Sequence, residues 1–133
     1  MVLTPTYHVM EMYNVHQDAT LLPMSVISTD YVVGKEKLAA ISASASRDQN
    51  GITHITLVNI DARQAQEAMI DIRGTKFSGV MGRILTSALL QDHNTFDKPN
   101  YVKPTEFKSA SLNANTLKVK LPPFSIVVLE LKP

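Results

Sequence analysis

Two alternating segments joined by an Asn-Gly pair constrain the fold of this chain more than any other feature. Residues 41–46 read Ile-Ser-Ala-Ser-Ala-Ser, and this period of two is typical of a β-strand. Residues 52–60 form a second extended segment, in which Ile55 and Leu57 alternate with Thr56 and Val58. Between the two segments, Asn-Gly provides the positive φ that a tight turn requires. The sequence therefore predicts a β-hairpin here.

Most of the remaining chain is also predicted to be strand. We expect about eight strands, over residues 20–33, 38–46, 52–60, 68–72, 79–90, 107–112, 117–121 and 124–131. The last segment is apolar almost throughout, as expected of a strand that is buried on both faces. Many short strands with turn residues between them predict an all-β sandwich or barrel.

One helix is predicted, at the front of the chain. Thr4-Pro5 is a good helix start, because the hydroxyl can cap a free N–H and proline suits the first helical position. Val9, Met12 and Tyr13 then recur at helical spacing, which predicts a helix over residues 5–17. A helix this short needs a packing partner. We expect its apolar face either to fold onto the sandwich or to mediate self-association.

A long polar connection at residues 94–104 carries three large apolar side chains, Phe96, Tyr101 and Val102. A solvent-exposed loop has little need of these residues, and loops of this length are usually functional or disordered. We therefore expect the loop to pack back onto its own domain. We also expect it to be a crossover that links strands which are not hairpin neighbours.

Composition excludes several classes of protein. The 133 residues fit one domain, and 44% hydrophobic and 19% charged residues are ordinary for a globular chain. The formal charge of +1 is nearly balanced and has no basic run, so neither nucleic acid nor a membrane surface is an expected partner. The chain has no cysteine, which excludes disulfides and thiolate metal sites. No apolar run spans a bilayer, and the first residues do not resemble a signal peptide.

The histidines do not predict a metal site. His8 and His16 are more than two helical turns apart, so they do not share one metal in the i, i+4 manner. His54 projects from a predicted strand and His93 begins the long loop. A structural histidine with satisfied hydrogen bonds is the preferred interpretation for all four, and no cofactor is expected.

The carboxylates do not predict an active site either. A retaining glycosidase needs two carboxyl groups about 5–5.5 Å apart. The five glutamates are predicted to lie in the helix, a charged turn, two strand edges and the last strand, and no spacing pairs them: Glu11, Glu36, Glu67, Glu106 and Glu130. A phosphate-binding glycine loop and a Gly-x-Ser-x-Gly elbow are absent from the sequence. Tyr31 and Tyr101 are candidate sugar-stacking platforms, although packing in the core or a loop is the preferred interpretation.

Four stretches of the sequence, in the right order, resemble one known family. The first is residues 3–17 (Leu-Thr-Pro-Thr-Tyr-His-Val-Met-Glu-Met-Tyr, then Val-His-Gln), and the second is Ser-Ala-Ser-Arg-Asp at 44–48 with Leu-Val-Asn-Ile-Asp at 57–61. The third is Ile-Leu-Thr at 84–86 followed by Asn-Thr-Phe-Asp at 94–97, Pro99, Val102 and Pro104, and the fourth is Leu-Pro-Pro-Phe-Ser at 121–125. They are similar to the end of the catalytic barrel and to the C-terminal domain in α-L-arabinofuranosidases of glycoside hydrolase family 51. The resemblance runs over nearly the whole chain.

The resemblance implies a jelly-roll-type antiparallel β-sandwich preceded by one short α-helix. Residues 1–18 would be the end of a (β/α)8 barrel, and residues 19–133 the accessory sandwich. Such enzymes release terminal arabinofuranose from arabinan or arabinoxylan with retention. Their two catalytic glutamates lie on barrel strands upstream of this sequence, so no catalytic residue is assigned to this chain. Glu11 lies in a helix and is misplaced for that chemistry. We expect the chain to be inactive alone, with the missing barrel as its partner.

Two other functions compete with the accessory domain. A stand-alone carbohydrate-binding module would need a line of exposed aromatic side chains, for which the sequence gives weak support. An oligomerisation module would use the helix or an uncapped strand edge, and a homo-oligomer is one expectation. The direct entry into a structured element favours a fragment of a longer protein. The compartment, and whether Met1 is a natural start, stay open.

Overall fold

The computed structural model describes residues 4–22, 30–33, 35–61, 64–71, 77–86, 93–98, 101–113 and 116–132. Within these ranges the chain forms the helix α1 (Pro5–Tyr13), a 3-10 turn (Asn14–His16) and the strands β1 (Thr20–Leu22), β2 (Asp30–Val33), β3 (Glu36–Ala39), β4 (Ile41–Arg47), β5 (Thr53–Asn59), β6 (Gln66–Asp71), β7 (Gly79–Leu85), β8 (Thr105–Glu106), β9 (Ala110–Asn113), β10 (Thr116–Leu121) and β11 (Ser125–Lys132). None of the helices in this part of the chain is long and apolar enough to cross a membrane.

The strands form three antiparallel sheets. A six-stranded sheet has the order β1-β4-β5-β11-β7-β8, a three-stranded sheet has the order β6-β10-β9, and β2 and β3 form a separate hairpin. The six-stranded and three-stranded sheets pack face to face through a shared apolar core. The predicted all-β sandwich with one short helix in front is therefore confirmed. The jelly-roll type stays a prediction, as does the boundary after residue 18.

The predicted hairpin is confirmed as β4 and β5, which pair from Ile41 opposite Asn59 to Arg47 opposite Thr53. Its turn contains Gly51 at φ +81°, a backbone conformation that glycine adopts without strain. Asp48 fixes the turn, because its Oδ1 accepts hydrogen bonds from the backbone N–H groups of Asn50 at 2.8 Å and Ile52 at 3.0 Å.

The core between the two sheets is almost entirely aliphatic. Its side chains come from alternate positions of the strands, so one face of each strand is apolar. The buried members are Ile41, Ala45, Ile55, Leu57, Ala68, Ile84, Phe107, Leu117, Val119, Leu121, Val127, Leu129 and Leu131.

The central strand β11 is buried on both faces, as its apolar sequence predicted. Val127, Leu129 and Leu131 point into the core between the sheets. Val128, on the other face of the sheet, packs in a second core with Met12, Leu85 and Val102. The six-stranded sheet therefore has an apolar cover on each side.

Three details of the predicted strands are wrong. The strand expected over 38–46 is broken at the buried Ala40, whose carbonyl accepts from the N–H of Ile60. Glu36, expected in a charged turn, begins β3. The strand expected over 107–112 begins only at Ala110 as β9, because the chain crosses between sheets from Phe107, whose N–H donates to the carbonyl of Gly82 at 2.9 Å.

The long loop was also assigned wrongly in one respect. It joins β7 to β8, which are hydrogen-bonded neighbours in the same sheet. The crossover to the second sheet follows β8, at Phe107. The tail of the predicted strand 79–90, the Pro23 region and the turn at residues 114–115 lie outside the described residues.

Candidate functional site

The helix α1 covers one face of the six-stranded sheet, and this junction is the most elaborate feature of the molecule. Thr4 caps the helix by accepting the N–H of Tyr7 at 3.1 Å, and proline occupies the first turn. Met12 has no exposed surface, and Val9 and Val15 pack beside it against the sheet. The expectation that the helix folds onto the sandwich is therefore met.

A paired ion contact holds the middle of the helix to the sheet. The two terminal guanidinium nitrogens of Arg83 on β7, Nη1 and Nη2, donate to the Glu11 carboxylate at 3.1 and 3.0 Å. Two parallel hydrogen bonds of this kind fix orientation as well as distance. Both side chains are close to half-exposed, so the free energy that they contribute is modest. Glu11 thus positions the helix on the sheet through its contact with Arg83.

His16 joins the end of the 3-10 turn to the strands β4 and β5. Its Nδ1 lies 2.6 Å from the hydroxyl of Ser46, and its Nε2 contacts the hydroxyl of Thr56. Burial, with a smaller effect from His54, lowers the pKa of His16 below its ordinary value. A neutral ring that bonds two hydroxyl groups is therefore the state that this site favours.

His54 lies beside His16 on the same face of the sheet. The ring is buried, with Nδ1 at 4.0 Å from a carboxylate oxygen of Asp48 and Nε2 at 4.0 Å from one of Glu130. These distances exceed a hydrogen bond, and Nδ1 has no hydrogen-bond partner. The cluster therefore contains two histidines, two carboxylates and two hydroxyl groups.

This cluster does not have the arrangement of a nucleophilic triad. In such a triad one histidine nitrogen faces the nucleophilic hydroxyl and the other donates to a carboxylate. Both nitrogens of His16 face hydroxyl groups instead, and the carboxylates lie beside His54. In the described part of the chain, no group of three histidine, aspartate or glutamate side chains is placed to hold a metal ion.

Each glutamate whose side chain the structure describes has a basic neighbour. Glu67 pairs with Lys118 at 2.9 Å on the other sheet, and this contact lowers the pKa of the carboxyl group. Glu106 lies 3.9 Å from Lys108, and Glu130 lies 3.9 Å from Lys132. The absence of a catalytic residue from this chain stays a prediction, which these pairings support.

The outer face of the helix also exposes two large apolar side chains. Tyr7 is 51% exposed and Met10 is 71% exposed, and both point away from the sheet. The sequence placed Tyr13 on the docking face with Val9 and Met12, but Tyr13 stays 36% exposed at the border of the contact. Tyr7 and Met10 were missed, although their spacing of three residues is itself a helical signal.

The long loop packs back through one of its three apolar residues. Val102 is buried in the core beneath the helix. The side-chain amide of Asn94 holds it there, because its Oδ1 accepts the Val102 N–H at 2.6 Å and its Nδ2 donates to the Val102 carbonyl at 2.8 Å. Tyr101 is half-exposed below the Lys98 ammonium. Phe96 is 90% exposed, which contradicts its expected packing.

The described surface does not line up aromatic side chains as a sugar-stacking platform would require. Phe96 and Tyr101 are the exposed aromatic residues of the loop, and Tyr7 and Tyr13 belong to the helix. The side chain of Tyr31 lies outside the described residues. The geometry of the junction is therefore that of a packing surface.

Comparisons with known proteins agree with this geometry. The family model described as "Alpha-L-arabinofuranosidase C-terminal domain" matches residues 1–125. An intracellular exo-α-L-arabinofuranosidase of Bacteroides ovatus is 49% identical over 133 residues, which are 99% of this chain and 26% of that protein. The α-L-arabinofuranosidase 2 of Arabidopsis thaliana is 30% identical over 132 residues, which are 96% of this chain and 18% of that protein.

A solved structure extends the match to three dimensions. The family 51 arabinofuranosidase of Xanthomonas axonopodis pv. citri superposes with a TM-score of 0.96 at 38% identity, over 99% of this chain and 27% of that chain. This chain thus spans about a quarter of the length of the Bacteroides ovatus and Xanthomonas proteins. The resemblance seen in the sequence is confirmed: the chain belongs to the C-terminal domain family of the glycoside hydrolase family 51 α-L-arabinofuranosidases.

Proposed function

We propose that this chain is the non-catalytic accessory domain of an α-L-arabinofuranosidase. A (β/α)8 barrel precedes it in a longer polypeptide and releases terminal arabinofuranose from arabinan or arabinoxylan with retention. Residues 1–18 complete that barrel, and residues 19–133 form a jelly-roll sandwich that packs on it. Membership of a C-terminal domain family supports this proposal, as does the length of the relatives.

One structural observation carries the proposal: α1 is built into the sandwich. Met12 is fully buried against the sheet, Arg83 clamps Glu11, and His16 bonds two strands. A helix held at its middle and at its end moves with the domain beneath it. In the relatives most of the polypeptide lies outside the matched region. The helix is therefore suited to fix the orientation of the sandwich relative to a preceding domain.

A stand-alone sugar-binding or oligomerisation module is not favoured. The similar proteins are chains about four times as long that carry this region as one part. In the described residues His16 of the polar cluster already bonds the hydroxyl groups of Ser46 and Thr56, and His54 is buried, so neither ring is free to bind a sugar.

The proposal is tested by hydrolysis of p-nitrophenyl α-L-arabinofuranoside. We would compare this chain alone with a chimera in which it replaces the matching quarter of the Bacteroides ovatus relative. We expect no turnover by the chain alone and full turnover by the chimera. A third sample, the relative without the part that matches residues 19–133, should lose activity on heating sooner than the chimera.

Two results would overturn the proposal. Turnover by the chain alone would mean that carboxylates among Glu11, Glu36, Glu67, Glu106, Glu130 and the aspartates form an active site. Equal heat stability with and without the domain would mean that the sandwich does not support the barrel.

A further inference from the structure

The outer surface of the helix has the character of an interface. A surface helix typically has one apolar stripe towards the core and polar residues opposite, whereas the outer face of α1 also exposes two large apolar side chains. Met12 and Val9 face the sheet, whereas Tyr7 and Met10 point to the opposite side, with 51% and 71% of their surfaces exposed. One cover is supplied by the sandwich. The second apolar face needs a cover from elsewhere.

The Phe96 loop, residues 93–98 and 101–104, adds to this surface. Val102 packs in the same core as Met12, so the base of the loop lies beside the helix. The tip of the loop is held by local hydrogen bonds, from the N–H of Thr95 to the carbonyl of Lys98 at 3.2 Å and from the N–H of Lys98 to the Thr95 hydroxyl at 3.1 Å. An ordered loop thus presents Phe96 with 90% of its surface exposed.

We propose that Tyr7, Met10 and Phe96 form the surface on which the rest of the catalytic barrel packs, the barrel that precedes this chain in the same polypeptide and that residues 1–18 complete. This inference rests on the proposed accessory function and assigns residues to it. The occupant follows from the relatives, in which this region is about a quarter of the chain and belongs to a C-terminal domain family. The preceding polypeptide enters through α1 and so reaches the exposed face of that helix first.

The chain offers a matched control for the test. Met69 is 72% exposed, which is almost the same as Met10. It lies on β6 opposite Lys118, in the three-stranded sheet that packs against the far side of the six-stranded sheet from the helix. Replacing either methionine by serine removes the same side chain from an equally exposed position. The two substitutions change opposite sides of the molecule, and their own costs in a helix and in a strand are measured in the isolated chain.

The experiment uses the Bacteroides ovatus chimera and measures its rate of cleavage between the two domains by a dilute protease. Cleavage then follows the population of the separated state. We expect Met10→Ser and Phe96→Ser each to accelerate cleavage about tenfold, the factor that corresponds to 1.4 kcal/mol. Met69→Ser should change the rate less than about twofold. In the isolated chain none of the three substitutions should change the midpoint of unfolding.

Equal cleavage rates for Met10→Ser, Phe96→Ser and Met69→Ser would overturn the assigned surface. If the domain still protects the chimera against heat, the accessory function stands while this surface is wrong. If it does not, both are wrong. Light scattering on the isolated chain tests whether a second copy of the chain occupies this surface. A dimer that dissociates in the Met10→Ser variant would assign the surface to that second copy and overturn the proposal.

Discussion

The two faces of the six-stranded sheet are covered in different ways. One face packs on the three-stranded sheet through a large aliphatic core. The other face is covered by α1 and the base of the Phe96 loop, through a smaller core that is extended by the Glu11–Arg83 pair and by His16. The first face supplies the hydrophobic free energy of the fold. The second face adds directional contacts, which fix where a helix lies.

The largest expected effect comes from the aliphatic face. Leu129 is fully buried in the central strand β11, between β5 and β7. We expect Leu129→Ala to lower the free energy of unfolding by about 2–5 kcal/mol. The loss should be towards the upper end, because Leu129 lies in the core between the two packed sheets, whose neighbouring side chains restrict relaxation. Urea unfolding measures it. Leu21→Ala, at a position 77% exposed, is the control and should cost less than about 0.5 kcal/mol.

The helix face should respond next. Met12→Ala removes a fully buried side chain from the second core, and we expect a loss near the lower end of the same range, about 2 kcal/mol, since a docked helix can shift to fill the space. Met10→Ala on the same helix is the control, with little change in the isolated chain. Equal losses for the two variants would show that the helix does not dock as described.

Gly82 tests how tightly the aliphatic face is packed. A Cβ at this position would lie 2.8 Å from Cδ2 of Leu129 and 3.3 Å from the Cβ of Phe107, whereas one at Gly79 would meet nothing within 4 Å. We expect Gly82→Ala to destabilise the chain by about 1–3 kcal/mol through overpacking. Gly79→Ala should be neutral or slightly stabilising. A neutral Gly82→Ala would mean that Phe107 and Leu129 move aside freely.

The smallest expected effect is a pH dependence confined to the helix face. Burial lowers the pKa of His16 below its ordinary value of 6.5. The unfolded chain therefore binds this proton at a higher pH than the folded chain does. The contribution of the neutral His16 ring to the free energy of unfolding is therefore present above pH 6.5 and falls as the pH drops below that value. We expect His16→Asn to reduce the drop in the unfolding midpoint between pH 7.5 and 5.5. Leu129→Ala should lower the midpoint at every pH but leave the size of this drop unchanged.

Local and tertiary signals differ in the same way in how well they predict the strands from the sequence. The hairpin β4–β5 and the doubly buried β11 were predictable, because alternation, an Asn-Gly turn and a continuous apolar run are local signals. The break at Ala40 and the late start of β9 at Ala110 were not, since a chain that changes partner strand keeps the same local pattern. Tertiary pairing decides these positions.

The junction was only partly predictable. The helix and its inward residues Val9 and Met12 followed from periodicity and from the Thr4 cap. The partners of Glu11 and His16 did not, because Arg83, Ser46 and Thr56 lie 30 to 72 residues away along the chain. The exposure of Phe96 also escaped prediction, since no local pattern distinguishes an apolar loop residue that packs from one that stays exposed.

Amide hydrogen exchange tests the central claim, that helix and sandwich form one unit, most directly. The opening free energies of α1 amides, those of Met12 and Tyr13 above all, would be compared with those of β5 and β11 in the isolated chain. We predict that the last turn of α1 exchanges with a free energy near that of the strands, and that Met12→Ala abolishes this protection while β5 stays protected. Exchange of α1 at the rate of a frayed terminus, beside fully protected strands, would contradict the account.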